Sequence, residues 1–215
     1  GRSVPPHVRH LRERLAQRAE QLIVDLHRLF EQLVHRVRRI TLAKPLLEVR
    51  AQALPQPAAL QPYYNAMDRT GEVEVLPAAN YLGLGVVSYS PLSRGVLTGK
   101  YLPDEKPDQG TRAGRSDKRM METEFRRESL ILAQQIKKHA EGRGITAGQF
   151  ALNWVLNNRF VTAVLAGPRT EEQWREYLGA LDYHFDVADE ALIDSLVAAG
   201  HTSTPGYTDP KFPIL

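Results

Sequence analysis

The sequence predicts an α/β fold, either an α/β layer or part of a (βα) barrel, preceded by an amphipathic helix. Short apolar runs alternate with helical stretches after residue 45. Their order is strand, helix, strand, helices, strand, helices, which implies parallel strands joined by helical crossovers. The first 50 residues differ in composition from the rest and have a helical apolar periodicity. We therefore expect two different parts in this chain.

The amino-terminal part, residues 1–44, is predicted to form an Arg-rich amphipathic helix. Nine apolar residues from Leu11 to Ile40 follow one another at steps of three and four, without Pro or Gly between them. Residues 1–50 carry eleven Lys and Arg against five Asp and Glu, a balance of +6, and the other residues carry 17 against 20, a balance of −3. The positive charge is therefore concentrated in this segment.

Several interpretations of the basic segment stay open. Its apolar stripe can pack on the rest of the molecule, or two copies can associate as a coiled coil. Binding of nucleic acid or acidic lipid through Arg36, Arg38 and Arg39 is disfavoured, because acidic residues are interspersed in the same segment. The composition is also typical of a GC-rich gene translated in another frame, a hypothesis that the encoding DNA tests.

After residue 45 the apolar runs predict three strands, at residues 58–61, 84–89 and 161–165, the first and the last of them buried. Helical patterns predict helices at residues 72–81, 125–141, 146–157, 170–180 and 189–199. Thr170 is expected to cap its helix, and a helix stop is expected at Gly200. The polar stretch at residues 101–122 is interpreted as a surface loop.

The composition is that of a globular protein with a hydrophobic core. The chain has 215 residues, of which 42% are hydrophobic and 25% charged. No run of about 20 apolar residues is present, which excludes a membrane-spanning helix. Cysteine is absent, which excludes disulfides and thiolate metal sites and is compatible with a reducing compartment. We expect a cytoplasmic protein without a membrane segment.

Three strings carry a resemblance to a known family: QPYYNAMDR at residues 61–69, YSPLSRGVLTGKY at residues 89–101 and AGPRTEEQWREYLGAL at residues 166–181. In order and rough spacing they resemble the carboxyl-terminal half of the aldo-keto reductases, over about residues 47–215. The resemblance implies that residues 45–215 form part of a (βα)8 TIM barrel, namely strands six to eight with their helices. It also implies an oxidoreductase that uses NADPH to reduce small aldehydes and ketones.

The first two strings assign residues to the nicotinamide and the diphosphate of NADP(H). By the resemblance, Gln61 would bind the nicotinamide carboxamide, since a side-chain amide both donates and accepts hydrogen bonds. Tyr89 would stack on the nicotinamide ring. The pyrophosphate would lie along a glycine-containing loop with nearby cations, a combination that suits a diphosphate; its residues are Ser90, Leu92, Arg94, Gly95 and Lys100.

The third string assigns the adenosine end of the coenzyme. Gly167, Arg169 and Thr170 stand at a predicted strand-to-helix junction, where a helix amino terminus and an arginine together suit a 2′-phosphate. This favours NADP over NAD. Gln173 would face the adenosine, and Tyr177 stands where the family often has asparagine, so that a stacking contact could replace a polar one.

The residues that carry the chemistry in the family have no counterpart in this chain. The resemblance places a tyrosine, an aspartate, a lysine and a histidine on the first four strands of the barrel, and residues 1–44 contain no tyrosine and a single lysine, Lys44. We therefore assign no catalytic and no metal-ligating residue, and we expect weak NADPH binding without carbonyl reduction.

Two other functions remain as alternatives. One is a non-catalytic NADP(H)-binding or regulatory module, similar to the reductase-like subunits that associate with potassium channels. The other is a helical interaction or nucleic-acid-binding protein that acts through the basic segment. His201 and Asp209, near the carboxyl end, either shape a substrate pocket in the family's manner or belong to a Pro/Gly-rich surface tail.

Overall fold

The computed structural model describes residues 43–211. The chain divides into two compact units, Gly1–Glu48 and Val49–Leu215. Helix α1 (Ala43–Ala51) begins in the first unit and ends in the second. The helix predicted between Leu11 and Ile40 lies outside the described residues. The strands, the other helices and the loops of the described region belong to the second unit.

Three parallel strands form the sheet of the second unit. They are β1 (Ala59–Leu60), β2 (Gly85–Tyr89) and β3 (Ala163–Leu165), and they lie in the order β1–β2–β3. Ala59 pairs with Gly85, and Val87 pairs with Ala163, both in parallel register. The predicted α/β class with parallel strands is confirmed, and each observed strand lies inside its predicted range.

The connection from β1 to β2 contains a 3₁₀ turn (Thr70–Glu72) and helix α2 (Val75–Tyr81). The prediction of one helix over residues 72–81 is therefore too long at its start. Glu74 has a φ of −142°, outside the helical region, and separates the two elements. Leu76 and Ala79 of α2 are fully buried.

The connection from β2 to β3 contains a 3₁₀ segment (Ser93–Thr98) and helices α3 (Lys118–Thr123), α4 (Arg127–Gly142) and α5 (Ala147–Asn157). The predicted helices at residues 125–141 and 146–157 are confirmed within two residues. Helix α5 begins where Thr146 and Gln149 form a reciprocal capping box.

The prediction of a surface loop over residues 101–122 is wrong in part. Asp117 accepts a hydrogen bond from the backbone of Met120 and so begins α3 inside that stretch. Tyr101, Ala113 and Met120 are buried, and Met120 is one of the fully buried side chains of the core. A few apolar residues thus fix a stretch whose average composition is polar.

After β3 the chain forms helix α6 (Glu171–Gly179), a 3₁₀ turn (Ala180–Asp182) and helix α7 (Val187–Leu196). Thr170 caps α6, as predicted. Helix α7 starts two residues before its predicted start, because Asp186 caps it, and ends at Leu196, because Val197 is extended with a φ of −140°. The predicted stop at Gly200 is therefore wrong.

The core lies among the helices and on one face of the sheet. Val86 and Ser88 on that face of β2 are fully buried, whereas Gly85, Val87 and Tyr89 on the other face are partly exposed. Strand β3 is not buried, contrary to its prediction: Leu165 is 47% exposed. Within the described residues β2 is the one sheet neighbour of β3, so that part of its surface faces solvent.

Residues 43–211 contain neither a membrane-spanning helix nor a cluster of metal ligands. Of the helices in this range, none combines the length and the apolar character that crossing a bilayer requires. The same range holds no group of three or more His, Asp or Glu side chains arranged to bind a metal ion.

Candidate functional site

The predicted site residues follow the carboxyl ends of the three strands. Gln61 is the first residue after β1, and Tyr89 is the last residue of β2. An isolated parallel bridge between Tyr63 and Tyr89 continues the pairing past the end of β1. Because the strands are parallel, their carboxyl ends share one edge of the sheet, where ligands of α/β proteins usually bind. The site is therefore placed at this edge.

The first group of site residues forms the β2 loop, residues 90–100. Ser90, Ser93, Arg94 and Gly95 have φ angles of 58°, 45°, 52° and 94°. This left-handed region is costly for any residue except glycine, and three of the four are not glycine. Leu92, with φ −99° and ψ 12°, precedes Ser93 and makes a right-then-left-handed pair, the geometry of backbone nests that bind anions.

Arg94 is held by a buried carboxylate. Its Nε atom lies 3.1 Å from both carboxylate oxygens of Glu124, whose side chain is only 4% exposed. The hydroxyl of Tyr63 donates to the same carboxylate at 3.1 Å. The pyrophosphate contact predicted for Arg94 stays a prediction, and an anion at this position would share the guanidinium with Glu124.

Lys100 lies against the backbone of Gly95. A Cβ atom added to Gly95 would be 3.1 Å from Nζ of Lys100, so a larger residue would press on the ammonium group. The same Nζ lies 5.1 Å from the ring centre of Tyr101, at cation–π distance. The glycine, the left-handed backbone and the cation thus meet at one place, an arrangement that suits an anionic ligand.

The tyrosines at this edge contact each other. The rings of Tyr63 and Tyr89 are 5.4 Å apart in an edge-to-face arrangement. Burial and the charge of Glu124 raise the pKa of Tyr63 well above its usual value, and burial raises the pKa of Tyr89. Both phenols are therefore neutral at physiological pH, and the residue Tyr89 is partly exposed.

The second group of site residues lies in the loop after β3 and the first turn of α6, residues 166–173, which we call the β3 loop. Arg169 and Thr170 are exposed, and a Cβ atom on Gly167 would meet nothing within 4 Å. The backbone N–H of Arg169 donates to Oε1 of Gln173 at 2.7 Å, and the backbone N–H of Gln173 donates to Thr170 at 3.3 Å. The acceptor of Gln173 is thus engaged within the loop, while the guanidinium of Arg169 lies at the surface.

Sequence reasoning missed two polar residues of this region. Asn65 is fully buried and contacts the β2 loop, and Glu124 binds Arg94 from thirty residues away. Asn65 lies inside the string QPYYNAMDR, and its position in this motif is a local signal that it belongs to the site. No local pattern marks Glu124, because its partners are distant in sequence.

The two candidates near the carboxyl end have structural contacts. Asp209 accepts a hydrogen bond from Arg119 of α3 at 2.8 Å. The backbone carbonyl of His201 accepts from the backbone of Arg69 at 2.9 Å. Nearby, the guanidinium of Arg126 lies 3.7 Å from the ring centre of Tyr207. The segment is therefore packed on other parts of the second unit, and its predicted role in a substrate pocket stays a prediction.

Comparison with known proteins gives a family match over most of the chain. The model of the aldo/keto reductase family matches residues 34–198. The match begins inside the segment that the sequence alone left unmatched, residues 1–44. It includes both loops of the candidate site.

Three relatives illustrate the range of known proteins that the chain is similar to. The uncharacterized oxidoreductase YrpG of Bacillus subtilis is 38% identical over 142 residues, 66% of this chain and 41% of that protein. A putative voltage-gated potassium channel subunit beta of Schizosaccharomyces pombe is 33% identical over 147 residues, 66% of this chain and 42% of that protein. The NADH-specific methylglyoxal reductase of Escherichia coli is 31% identical over 144 residues, 65% of this chain and 42% of that protein. The matched part of the chain thus spans about two fifths of each relative.

Proposed function

Because the chain belongs to the aldo/keto reductase family, whose members are oxidoreductases that use nicotinamide coenzymes, we propose that it is the coenzyme-binding part of an NADPH-dependent reductase of small aldehydes and ketones. In this proposal β1, β2 and β3 are strands six to eight of a (βα)8 barrel. The proposal includes a cytoplasmic location, which fractionation of cells with an antibody to the chain tests.

The observation that carries this proposal is the geometry of the β2 loop. Lys100 lies against Gly95 at the carboxyl end of a parallel strand, next to a run of left-handed residues. A backbone without a side chain lets a diphosphate approach, and the ammonium group offsets its charge. Ser90, Leu92, Arg94, Gly95 and Lys100 would then follow the pyrophosphate.

The preference for NADPH rests on the β3 loop. Arg169 is exposed just before the amino terminus of α6, where helix dipole and guanidinium both favour a phosphate. Glu171 and Glu172 in the first turn are negatively charged and would repel a phosphate. The charge of Glu171 is offset by Arg175, which lies 2.6 Å away. Gly167, Arg169, Thr170 and Gln173 would hold the adenosine 2′-phosphate end.

The bound coenzyme would supply a hydride, and the residues described here would hold and orient it. Gln61 would bind the nicotinamide carboxamide, and Tyr89 would cover one face of the ring. The general acid that protonates the carbonyl oxygen would come from the four strands that the resemblance places earlier in the barrel. We therefore propose that the 215-residue chain by itself binds NADPH weakly and does not reduce carbonyl compounds.

A thermal melt of the purified chain with NADPH, with NADH and without nucleotide tests the binding. A ligand that binds only the folded state raises the melting temperature by mass action. We expect NADPH to raise it and NADH to raise it less. A melt that neither nucleotide changes would contradict the proposal, and oxidation of NADPH by the clean protein with a small aldehyde would contradict the absence of turnover.

Replacement of Arg169 by leucine tests the site of the 2′-phosphate. We expect the preference for NADPH over NADH to fall about tenfold, since one charge-assisted hydrogen bond at an exposed site is worth about 1.4 kcal/mol. Arg127→Leu is the matched control and should keep the preference, because Arg127 is also exposed and pairs with Asp104, outside the β3 loop. Loss of the same affinity for both nucleotides in the Arg169 variant would place the 2′-phosphate elsewhere.

A second candidate function is a non-catalytic NADP(H)-binding or regulatory module. It is supported by the similarity to the potassium channel subunit beta of Schizosaccharomyces pombe. The two candidates differ in the assembled protein: a reductase oxidises NADPH when an aldehyde is added, whereas a regulatory module binds NADPH tightly without turnover.

A further inference from the structure

The β2 loop needs a support that explains its backbone shape. Three of its residues, Ser90, Ser93 and Arg94, adopt left-handed φ angles without being glycine. Each such residue costs of the order of 1 kcal/mol, and the conformation persists only when the surrounding structure enforces it. The contacts that enforce it therefore control the shape of the proposed diphosphate site.

Asn65 makes these contacts from the segment that follows β1. Its Nδ2 atom donates to the backbone carbonyl of Ser90 at 3.1 Å, and its Oδ1 atom accepts from the hydroxyl of Ser93 at 2.9 Å. The same Oδ1 accepts from the backbone N–H of Met67 at 2.9 Å. The side chain thus ties the first and fourth residues of the β2 loop to one fixed point.

The orientation of the Asn65 amide follows from its partners. A backbone N–H only donates, so Oδ1 must face Met67, and a backbone carbonyl only accepts, so Nδ2 must face Ser90. The hydroxyl of Ser93 then has to act as the donor. A carboxylate at this position would keep the acceptor and lose the donor, and an apolar side chain would lose both.

The support for Asn65 is itself rigid. Its backbone pairs with Asp68 in both directions, and its side chain is fully buried, as is that of Ser93. In a buried site a lost hydrogen bond leaves its partner without solvent to replace it, which makes the contact costly to break. Asn65 can therefore hold the loop in one shape before any ligand arrives.

We propose that Asn65 is a positioning residue for the coenzyme: it fixes the β2 loop in the shape that receives the diphosphate, without contacting the coenzyme itself. The inference rests on the proposed function. It predicts that the affinity for the diphosphate end of the coenzyme depends on Asn65, whereas the affinity for the adenosine 2′-phosphate end does not.

The test compares NADPH with adenosine 2′-monophosphate, which lacks the diphosphate and the nicotinamide. Asn65→Asp removes the donor to Ser90 and keeps the size of the side chain, but it also adds a negative charge beside the proposed diphosphate. The uncharged Ser93→Ala, which removes one contact of Asn65, is therefore measured with it. We expect Asn65→Asp to weaken NADPH binding about tenfold, the equivalent of one buried hydrogen bond, and to leave binding of adenosine 2′-monophosphate within about twofold. Isothermal titration calorimetry of the full chain measures both.

Asn153→Asp is the matched control. Nδ2 of Asn153 also donates to backbone carbonyls, those of Ala180 and Tyr183 at 2.6 and 2.9 Å, and neither partner belongs to the β2 loop. This variant should lower stability and keep the ratio of the two affinities. If Asn65→Asp does not fold, Ser93→Ala removes a single contact of Asn65 and should lower the same ratio by about threefold.

Each outcome decides between the explanations. If Asn65→Asp lowers the affinity for both nucleotides equally, or does not lower the affinity for NADPH, Asn65 is only structural and the inference is overturned. If the unmodified chain binds adenosine 2′-monophosphate but not NADPH, the inference about the β2 loop is wrong while the 2′-phosphate site stands. If it binds neither, the proposed function is wrong, and the role of Asn65 falls with it.

Discussion

The β2 loop and the β3 loop both follow the carboxyl end of a strand, but their surroundings differ. The β2 loop is tied to the rest of the unit by Asn65, by Glu124 and by Gln134, whose Nε2 donates to the carbonyls of Gly99 and Tyr101 at 2.9 and 2.8 Å. In the β3 loop, Arg169 and Thr170 are exposed and the hydrogen bonds given above join residues of the same loop.

The two loops illustrate two ways in which a protein can bind an anionic ligand: through a loop fixed before binding, or through an exposed loop with a charged side chain. A loop that is fixed beforehand loses little conformational entropy when it binds, so its contacts count nearly in full. An exposed loop with a charged side chain attracts a phosphate over a longer distance, and then orders around it at an entropic cost. We expect substitutions in the β2 loop to change stability, and those in the β3 loop to change mainly nucleotide affinity.

The largest difference is expected when the acidic partner of an ion pair is removed in each region, and it concerns the free energy of unfolding. Glu124 and Arg94 are 4% and 25% exposed, whereas Glu171 and Arg175 are 73% and 76% exposed. Glu124→Leu should lower the free energy of unfolding by about 3 kcal/mol, because it leaves Arg94 and the Tyr63 hydroxyl without their acceptor. Glu171→Leu should change it by less than about 0.5 kcal/mol. Urea denaturation of both variants measures the difference, and equal effects would contradict the comparison.

Two glycines provide the next comparison. Gly99 has a φ of 67°, and a Cβ atom there would lie 2.8 Å from Cβ of Lys137, whereas Gly167 has open space around it. Gly99→Ala should lower the free energy of unfolding by about 2 kcal/mol, because the left-handed conformation and the contact both oppose a side chain. Gly167→Ala should stay within about 0.5 kcal/mol. If Gly99→Ala leaves the free energy of unfolding unchanged, the β2 loop can adjust its backbone to accept a side chain.

The smallest effect concerns pH and the phenol of Tyr63, next to the β2 loop. The pKa of Tyr63 is raised in the folded state by burial and by Glu124, so the neutral form is favoured there. Above about pH 10 the Tyr63 phenol loses its proton in the unfolded chain but keeps it in the folded chain. The free energy of unfolding therefore falls as the pH rises. Tyr63→Phe should reduce this slope by up to about 1.4 kcal/mol per pH unit.

The reference for this measurement is the unmodified chain, measured over the same pH range. Tyr64 is also buried, with a raised pKa, and contributes to the slope in every variant. An unchanged slope in Tyr63→Phe would mean that the Tyr63 phenol ionises as readily in the folded state as in the unfolded one.

Local patterns predicted most of the secondary structure, because the signals are local. Thr146 and Thr170 start α5 and α6 by capping backbone N–H groups within three residues, and apolar periodicity predicted the helices themselves. Helix α7 begins two residues before its predicted start, because the side chains of Asp186 and Asp189 form a capping box there. The exposure of β3 could not be predicted, since it depends on which elements cover the strand.

The candidate site was predictable at the level of its loops, but not of its contacts. Glycine and the cations of SPLSRGVLTGK are visible in the sequence, and the motif placed them together. The cluster of Arg94, Glu124 and Tyr63 joins residues that are 30 and 61 positions apart. Such pairs depend on tertiary packing, and no sequence spacing specifies them.

The two tryptophans of the chain differ in their exposure to solvent. Trp154 is 3% exposed, and its ring lies 5.1 Å from that of Tyr64, whereas Trp174, one residue after Gln173, is 49% exposed. Their fluorescence therefore differs in emission wavelength and in access to a soluble quencher. Light emitted by Trp174 reports on the neighbourhood of the β3 loop, and light emitted by Trp154 reports on the integrity of the core. A single unlabelled sample therefore follows changes at the β3 loop and unfolding of the core separately.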